Sequence, residues 1–193
     1  LVASSGKPLL MSTGMASEAE ISEAVDTALN AGTKSILLFH CISSYPAPVE
    51  QSNLRQIVTL KKRFGVDIGL SDHTLGITAA ITSVALGACA IEKHFTLSRS
   101  ERGPDSEFSI EPSELKALIE GTKEAWLSLG AENFSRPTAE KSSLAFRRSI
   151  YFVRNLKAGA VITKDDIRRI RPGFGLPPKF FDEIIGKRTK CDV

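Results

Sequence analysis

The sequence predicts a parallel α/β fold over its first 130 residues, and three observations predict it. Short, continuous apolar runs alternate with segments whose apolar residues recur at helical spacing. The connections between them are short, with no structureless stretch inside the series. The residues that follow each apolar run, rather than those that precede it, are Ser, Thr, His and Tyr. In parallel α/β folds the carboxyl ends of the strands are where ligands bind.

Lys7-Pro8 leads into Leu9-Leu10-Met11, a short buried strand that ends in Ser12-Thr13-Gly14. Ser17 followed by Glu20 is a capping box. It opens a helix carrying Ile21, Val25, Ala28 and Leu29, with Gly32 as its stop. Ser35–Phe39 is the second strand and delivers His40, Cys41, Ser43, Ser44 and Tyr45 into a loop held by Pro46 and Pro48. Asn53 is placed to cap the next helix, which carries Leu54, Ile57, Val58 and Leu60 up to Phe64-Gly65. Val66–Leu70 is the third strand and ends in Ser71-Asp72-His73. A helix of about ten residues runs from Ile77. The fourth strand, Ala88–Ile91, ends in Glu92-Lys93-His94. After a charged loop, Thr96–Ser109, Pro112 opens a long helix with Leu115, Leu118, Ile119, Trp126 and Leu129 on one face, closed by Gly130. Four βα units do not close an eight-stranded barrel. They make either an open doubly wound sheet or half of a barrel.

Residues 131–143 are polar and without period, a linker. Beyond them Arg148–Val153 alternates as a strand does, and Asn155–Gly159 is a turn. Thr163-x-x-Asp166 opens a short helix, Arg171–Pro178 is a Pro/Gly-framed loop, and Phe180–Ile185 is a short helix stopped by Gly186. A unit this small buries a marginal core.

Composition narrows the function classes. The chain is 42% apolar and 24% charged, as a soluble globular protein is. A formal charge of +3 does not argue for nucleic acid but suits an anionic small substrate if the cations converge. Three unspaced cysteines, Cys41, Cys89 and Cys191, favour a reducing, cytoplasmic setting over a disulfide framework. No apolar run approaches the roughly 20 residues of a membrane span.

The chemistry-bearing residues cluster by position. His73 and His94 each follow the carboxyl end of a strand. If those strands are neighbours, the two imidazoles form half of a divalent-metal site whose remaining positions go to substrate and water. A single histidine is more often a hydrogen-bonded loop residue; two at matched strand ends weight the metal reading. His40 is a weaker third candidate. Lys7, Ser12, Thr13, Ser43, Ser44 and Ser71 offer hydroxyls and charge suited to phosphate or carboxylate, each of them alone being more simply a cap or turn residue. Strand alternation puts Glu92 with His94 and sends Lys93 to the other side. Cys41 and Cys89 read as small core residues. Arg171, in its rigid loop, is by default a solvated side chain, and alternatively an anion contact delivered to another site.

Taken together, Lys7-Pro-Leu-Leu-Met-Ser-Thr-Gly-Met, His40-Cys-Ile-Ser-Ser-Tyr-Pro-Ala-Pro, Gly69-Leu-Ser-Asp-His-Thr-Leu-Gly, Ile91-Glu-Lys-His-Phe-Thr, Gly103-Pro-Asp-Ser-Glu-Phe-Ser and Arg171-Pro-Gly-Phe-Gly resemble the sialic acid synthase family. The match covers nearly the whole chain in order, and is nearest the pseudaminic acid synthase branch. The resemblance implies the C-terminal half of a TIM (β/α)8 barrel over 1–130, a linker at 131–143, and an antifreeze-like (SAF) domain, incomplete at its end, over 144–193. It implies condensation of phosphoenolpyruvate with an open-chain N-acetylated amino sugar to a nonulosonic acid and phosphate. It further implies a divalent cation (Mn2+ or Mg2+) and a domain-swapped homodimer.

Carried over by motif, His73 and His94 are the metal ligands. Lys7, Ser12, Ser43 and Ser71 hold phosphoenolpyruvate, Tyr45 and Asp105 hold the sugar, and Arg171 reaches the partner's site. Glu92 and Asp105 are the candidate acid–base groups, with His73 beside them. Ser43 departs from the Asn that N-acetylneuraminate synthases tend to carry. N-acetylneuraminate or legionaminate synthesis, and a non-catalytic binding module, are the alternatives. The resemblance also implies that the chain is a fragment, inactive by itself, with an open sheet edge prone to association.

Overall fold

The computed structural model describes residues 1–193, which fall into two units, Leu1–Ala131 and Glu132–Val193. In the first, the apolar runs become strands β1 (Leu9–Ser12), β2 (Ile36–Cys41), β3 (Asp67–Asp72) and β4 (Ile91–Lys93). They alternate with helices α1 (Glu18–Asn30), α2 (Gln56–Phe64), α3 (Thr78–Ala85) and α4 (Pro112–Leu129). All four strands are parallel, in the order β1-β2-β3-β4.

Strand alternation gives the sheet two faces. Leu9, Met11, Ile36, Leu38, Ile68, Leu70 and Ile91 point to the helices and pack with Ile21, Val25, Ile57, Leu60, Ala80 and Leu118. The alternate residues, Ser12, Phe39, Cys41, Gly69, Ser71 and Glu92, share the opposite face. Register aligns them: Ser12 pairs with Phe39, Phe39 with Gly69, Cys41 with Ser71, and Ser71 with Glu92.

The expected caps hold in part. Ser17 and Glu20 form the reciprocal capping box of α1. Gly65 ends α2 in the left-handed conformation, a position where glycine carries no Cβ penalty. Asn53 does not cap α2: the helix starts three residues later, and only the Asn53 carbonyl takes part, accepting from Gln56 N–H. The fourth strand lies nearer the histidine than its apolar run suggested. Ala88–Ala90 still run beside β3, with Cys89 N–H donating to the Ile68 carbonyl and Leu70 N–H to the Ala90 carbonyl. Of the face read on α4, Leu118 is buried, whereas Ile119, Trp126 and Leu129 are exposed. Cys41 is buried and Cys89 exposed, so only the former is a core residue.

The second unit pairs β5 (Ser149–Phe152) antiparallel with β6 (Ile167–Ile170), and α5 (Phe181–Ile184) follows. Ile150, Ile162, Ile167 and Phe181 make its core. Thr163-x-x-Asp166 does not open a helix. Its side chains make the expected bonds, Thr163 N–H donating to Asp166 Oδ2 at 2.8 Å. The backbone beyond Asp166 instead pairs with β5, because Ile167 is needed in the core. No helix of the structure is long and apolar enough to cross a membrane.

Candidate functional site

The site grows from two adjacent strands that end together. β3 and β4 pair through Asp72 and Lys93, so the next residue of each, His73 and His94, leaves the sheet at the same level. Their rings lie 5.4 Å apart between centroids, at 62°. Tyr45, from the loop after β2, sits against both, 4.2 Å from His73 and 5.8 Å from His94. Phe108, from the loop before α4, closes the group at 5.0 Å from His94 and 5.8 Å from Tyr45.

Hydrogen bonds fix the chemistry of His73. Its Nδ1 lies 2.8 Å from the Ile42 carbonyl, an acceptor only, so Nδ1 carries the proton and donates. In the neutral ring Nε2 therefore keeps its lone pair. Its hydrogen-bonding contact is Ser71 Oγ at 3.4 Å, and the proton of that hydroxyl is committed elsewhere, donated to Glu92 Oε1 at 2.7 Å. A ring nitrogen held by a backbone carbonyl on one side and free on the other is the usual arrangement of a metal-ligating histidine. His94 is less enclosed, and Asp105 Oδ2 lies 3.6 Å from its Nδ1.

The Asp105 backbone is left-handed, with φ of 62°. That conformation is costly for a residue with a Cβ and is held here by Ser109, whose N–H and hydroxyl both donate to the Asp105 carbonyl. The loop is pinned to α4 by Arg99, which donates to the Ser109 carbonyl and to Glu114.

A divalent cation fits this donor set as a half-filled sphere. No group of three or more His, Cys, Asp or Glu side chains converges as a closed cage. Two imidazoles leave several coordination positions for oxygen ligands from substrate and water, the pattern of a catalytic rather than a structural site.

The other expected residues divide. Ser71 and Glu92 pair two residues before the histidines, on the face away from the helices. Ser43 lies beside the β1 end: a Cβ on Gly14 would overlap Ser43 Oγ and come within 2.7 Å of Cys41 Sγ, so only glycine allows the two loops this approach. Ser12 is exposed at the carboxyl end of β1. Lys7 is not brought to the site. It precedes the amino end of β1, roughly 17 Å along the strand direction from Ser12, farther than a lysine side chain spans. His40 is no third ligand: it is buried on the helix side, its Nε2 2.8 Å from the Ser52 carbonyl. Arg171 is exposed in the second unit, directly after β6.

Sequence reasoning gave no role to Phe108, although it stands in the quoted loop motif. It also missed that Lys93 is buried, its ammonium 2.8 Å from Asp72 Oδ2. The signal for that pair was present: opposite charges stand immediately before the two histidines.

The model of the NeuB family matches residues 1–134 and that of the SAF domain matches 147–193. The chain is 36% identical over its whole length to the pseudaminic acid synthase of Campylobacter jejuni strain 81-176, covering 56% of that protein. It is 40% identical to the N,N'-diacetyllegionaminic acid synthase of Legionella pneumophila, across 99% of this chain and 55% of that one. Among solved structures, the N-acetylneuraminic acid synthetase of Leptospira borgpetersenii, crystallised with citrate, superposes with a TM-score of 0.69 at 38% identity. That match covers 74% of this chain and 50% of the other. The chain thus spans a little over half the length of the curated relatives it matches, and its four parallel βα units are half of a TIM-like barrel. The chain belongs to the NeuB family and carries a SAF domain behind its barrel half.

Proposed function

We propose that the chain supplies the metal and substrate groups of a nonulosonic acid synthase, which joins phosphoenolpyruvate to the open-chain aldehyde of an N-acetylated amino sugar. The observation that carries this reading is the convergence of His73, His94, Tyr45 and Asp105 at the ends of β3 and β4, above the Ser71–Glu92 pair. Family membership supports the reaction class.

In this reading His73 Nε2 and His94 hold a divalent cation. Bound there, the cation polarises the aldehyde oxygen. Tyr45 and Asp105 orient the sugar. Ser12 and Ser43 hold the phosphate and carboxylate of phosphoenolpyruvate by hydrogen bonds, and Ser71 joins them when its hydroxyl turns from Glu92 to the anion, which contributes through proximity and preorganisation. The enol carbon attacks the aldehyde carbon, and the electron-poor carbon left behind takes up water. Glu92 accepts one proton of that water and returns it to the alkoxide formed from the aldehyde oxygen; the hydroxyl left on the former enol carbon gives its proton to the phosphate as the C–O bond breaks and the ketone forms. Arg171 serves as the anion contact that a SAF unit lends to a second copy in a homodimer. The free cysteines fit a reducing, cytoplasmic setting. For these 193 residues alone we propose no turnover, because both edge strands, β1 and β4, lack an outer partner.

The test is phosphate release from phosphoenolpyruvate by a chain of the relatives' full length. Release is expected only with an N-acetylated amino sugar and a divalent cation, and is expected to be lost in His73→Ala. Absence of release with every sugar, or release indifferent to the histidine, overturns the reading. The product of the first reading is pseudaminic acid, supported by the motifs and by 36% identity to a pseudaminic acid synthase over the whole chain; a second reading, legionaminic acid, is favoured by the 40% identity to a synthase of that sugar. Comparing the two precursor sugars in the same assay decides between them.

A further inference from the structure

We infer that the buried ion pair between Asp72 and Lys93, on the face of the sheet opposite the site, is the positioning device that sets the separation of His73 and His94. The inference rests on the metal reading above and concerns residues to which that reading gives no part.

The two side chains are almost wholly enclosed, at 2% and 3% exposure. Lys93 Nζ donates to Asp72 Oδ2 at 2.8 Å and to the Thr74 carbonyl at 2.7 Å. Asp72 Oδ1 accepts from Thr74 N–H at 2.9 Å and from the Thr74 hydroxyl at 2.8 Å. Both carboxylate oxygens are thus satisfied, and the ammonium holds a carboxylate and a carbonyl together. Desolvating two charges makes such a pair a poor source of stability, and apolar residues of similar size often serve as well. Its best-attested use is to fix register, and here the register it fixes is specific. Asp72 and Lys93 are direct partners across β3 and β4, and each immediately precedes one of the two histidines.

The network reaches a third element. Thr74 bridges to Ala47, and Ala47 N–H donates to the His73 carbonyl at 2.9 Å. Ala47 lies two residues beyond Tyr45, whose ring rests on His73. One buried charge pair therefore ties together the strand ends that carry both imidazoles and the loop that carries Tyr45. A slip of one residue in this register turns one histidine to the helix side. β4 is short, three residues, and beyond it the His94 carbonyl accepts from Ile110 N–H at 2.9 Å, so the ion pair is the side-chain contact that joins the ends of β3 and β4 to each other.

The test uses the free protein and its histidine ring protons. Nuclear Overhauser contacts between the rings of His73 and His94 are recorded in the wild type, Asp72→Asn and the apolar pair Asp72→Leu/Lys93→Met. Assignment uses single His→Ala variants, since the chain has only three histidines. Thermal midpoints and manganese affinity are measured on the same samples. The expected result is a ring-to-ring contact in the wild type that is lost in both variants while they remain folded. Manganese binding weakens at least tenfold, whereas Lys93→Arg in the wild-type background, which keeps the charge pair, retains both. If Asp72→Asn, which leaves the buried Lys93 ammonium without its carboxylate, does not fold, the apolar pair decides alone. A folded variant with the contact and the manganese affinity unchanged overturns the inference. Wild-type manganese affinity in His73→Ala overturns the metal reading instead, and the metal-free ring contact then still tests the positioning role.

Discussion

The Ser71 hydroxyl donates to Glu92 Oε1 at 2.7 Å, across one rung of the β3–β4 ladder and directly beneath His73. The bond does two things at once. It turns the serine proton away from His73, leaving Nε2 with its lone pair. It also holds the carboxylate against the face where the substrates are proposed to meet. Replacing Glu92 by Gln keeps the shape and removes the base. The expected outcome in the full-length enzyme is a fall in kcat of about 10²-fold or more, the usual size of a lost general base, with manganese affinity unchanged. Ser71→Ala is expected to raise the KM for phosphoenolpyruvate instead. Steady-state kinetics of the two variants separate the roles; an unchanged kcat in Glu92→Gln removes Glu92 from the proton path.

Gly69 is the second expected point of failure, and its role is steric. A Cβ there would stand 2.6 Å from Cε1 of Phe39 and 2.9 Å from the Ala90 carbonyl oxygen. The ring is buried and the carbonyl is backbone, so neither has much room to yield. Gly69→Ala is expected to destabilise the first unit by about 1–3 kcal/mol, the range for overpacking. Urea denaturation followed through Trp126 measures it. Shortening the ring in a Gly69→Ala/Phe39→Leu variant is expected to recover only part of the loss, since the carbonyl remains.

The same stretch shows what was legible in the sequence. Continuous apolar runs gave the strands, because a strand covered on its helix side and facing the interior on the other has few polar positions. Position after two apolar runs put His73 and His94 side by side on the condition that those strands are neighbours, and the register of β3 and β4 meets that condition. Lys7 was misplaced because composition does not tell the amino end of a strand from its carboxyl end. Thr163–Asp166 read as a helix start because a Thr/Asp turn makes the same local bonds whichever way the chain continues. The ion pair of Asp72 and Lys93, and the stacking of Phe108, depend on which strands are neighbours and on how a long loop folds back. Both are tertiary facts that local pattern does not carry.

Arg99 governs that loop. It joins the Ser109 carbonyl at 3.0 Å to Glu114 at 2.6 Å, and its backbone N–H donates to Glu111 at 2.9 Å. Asp105 and Phe108 lie between these anchors. The Arg99 hydrogen bond, with a smaller contribution from Glu111 N–H, holds the Glu114 carboxyl below the usual range. Exposed pairs of this kind contribute only about 0–1 kcal/mol, so Arg99→Ala is expected to leave the thermal midpoint nearly unchanged. The expected effect is on the sugar: its KM rises several-fold, while that for phosphoenolpyruvate does not. Equal changes in both constants would count against the loop as the sugar-side element.

The second unit carries a pH dependence that can be read at one residue. Asp166 accepts from the Thr163 hydroxyl and from Thr163 N–H, and these bonds, with a weaker attraction from Arg154, hold its carboxyl below the ordinary aspartate value. A carboxyl that ionises more readily folded than unfolded stabilises the fold when it is charged. The contribution is complete above the unfolded value of about 3.9 and is lost as pH falls through the lower folded value. Val153 N–H, which donates to the Asp166 carbonyl at 2.8 Å, reports on this turn. Its hydrogen-exchange protection, corrected for the intrinsic rate, is expected to be flat from pH 7 to about 4 and to drop below that. In Asp166→Asn the protection is expected to be lower at pH 7 and to lose its acid step, because no proton is then taken up at this position. An acid step of undiminished size in the variant would place the titrating group elsewhere in the unit.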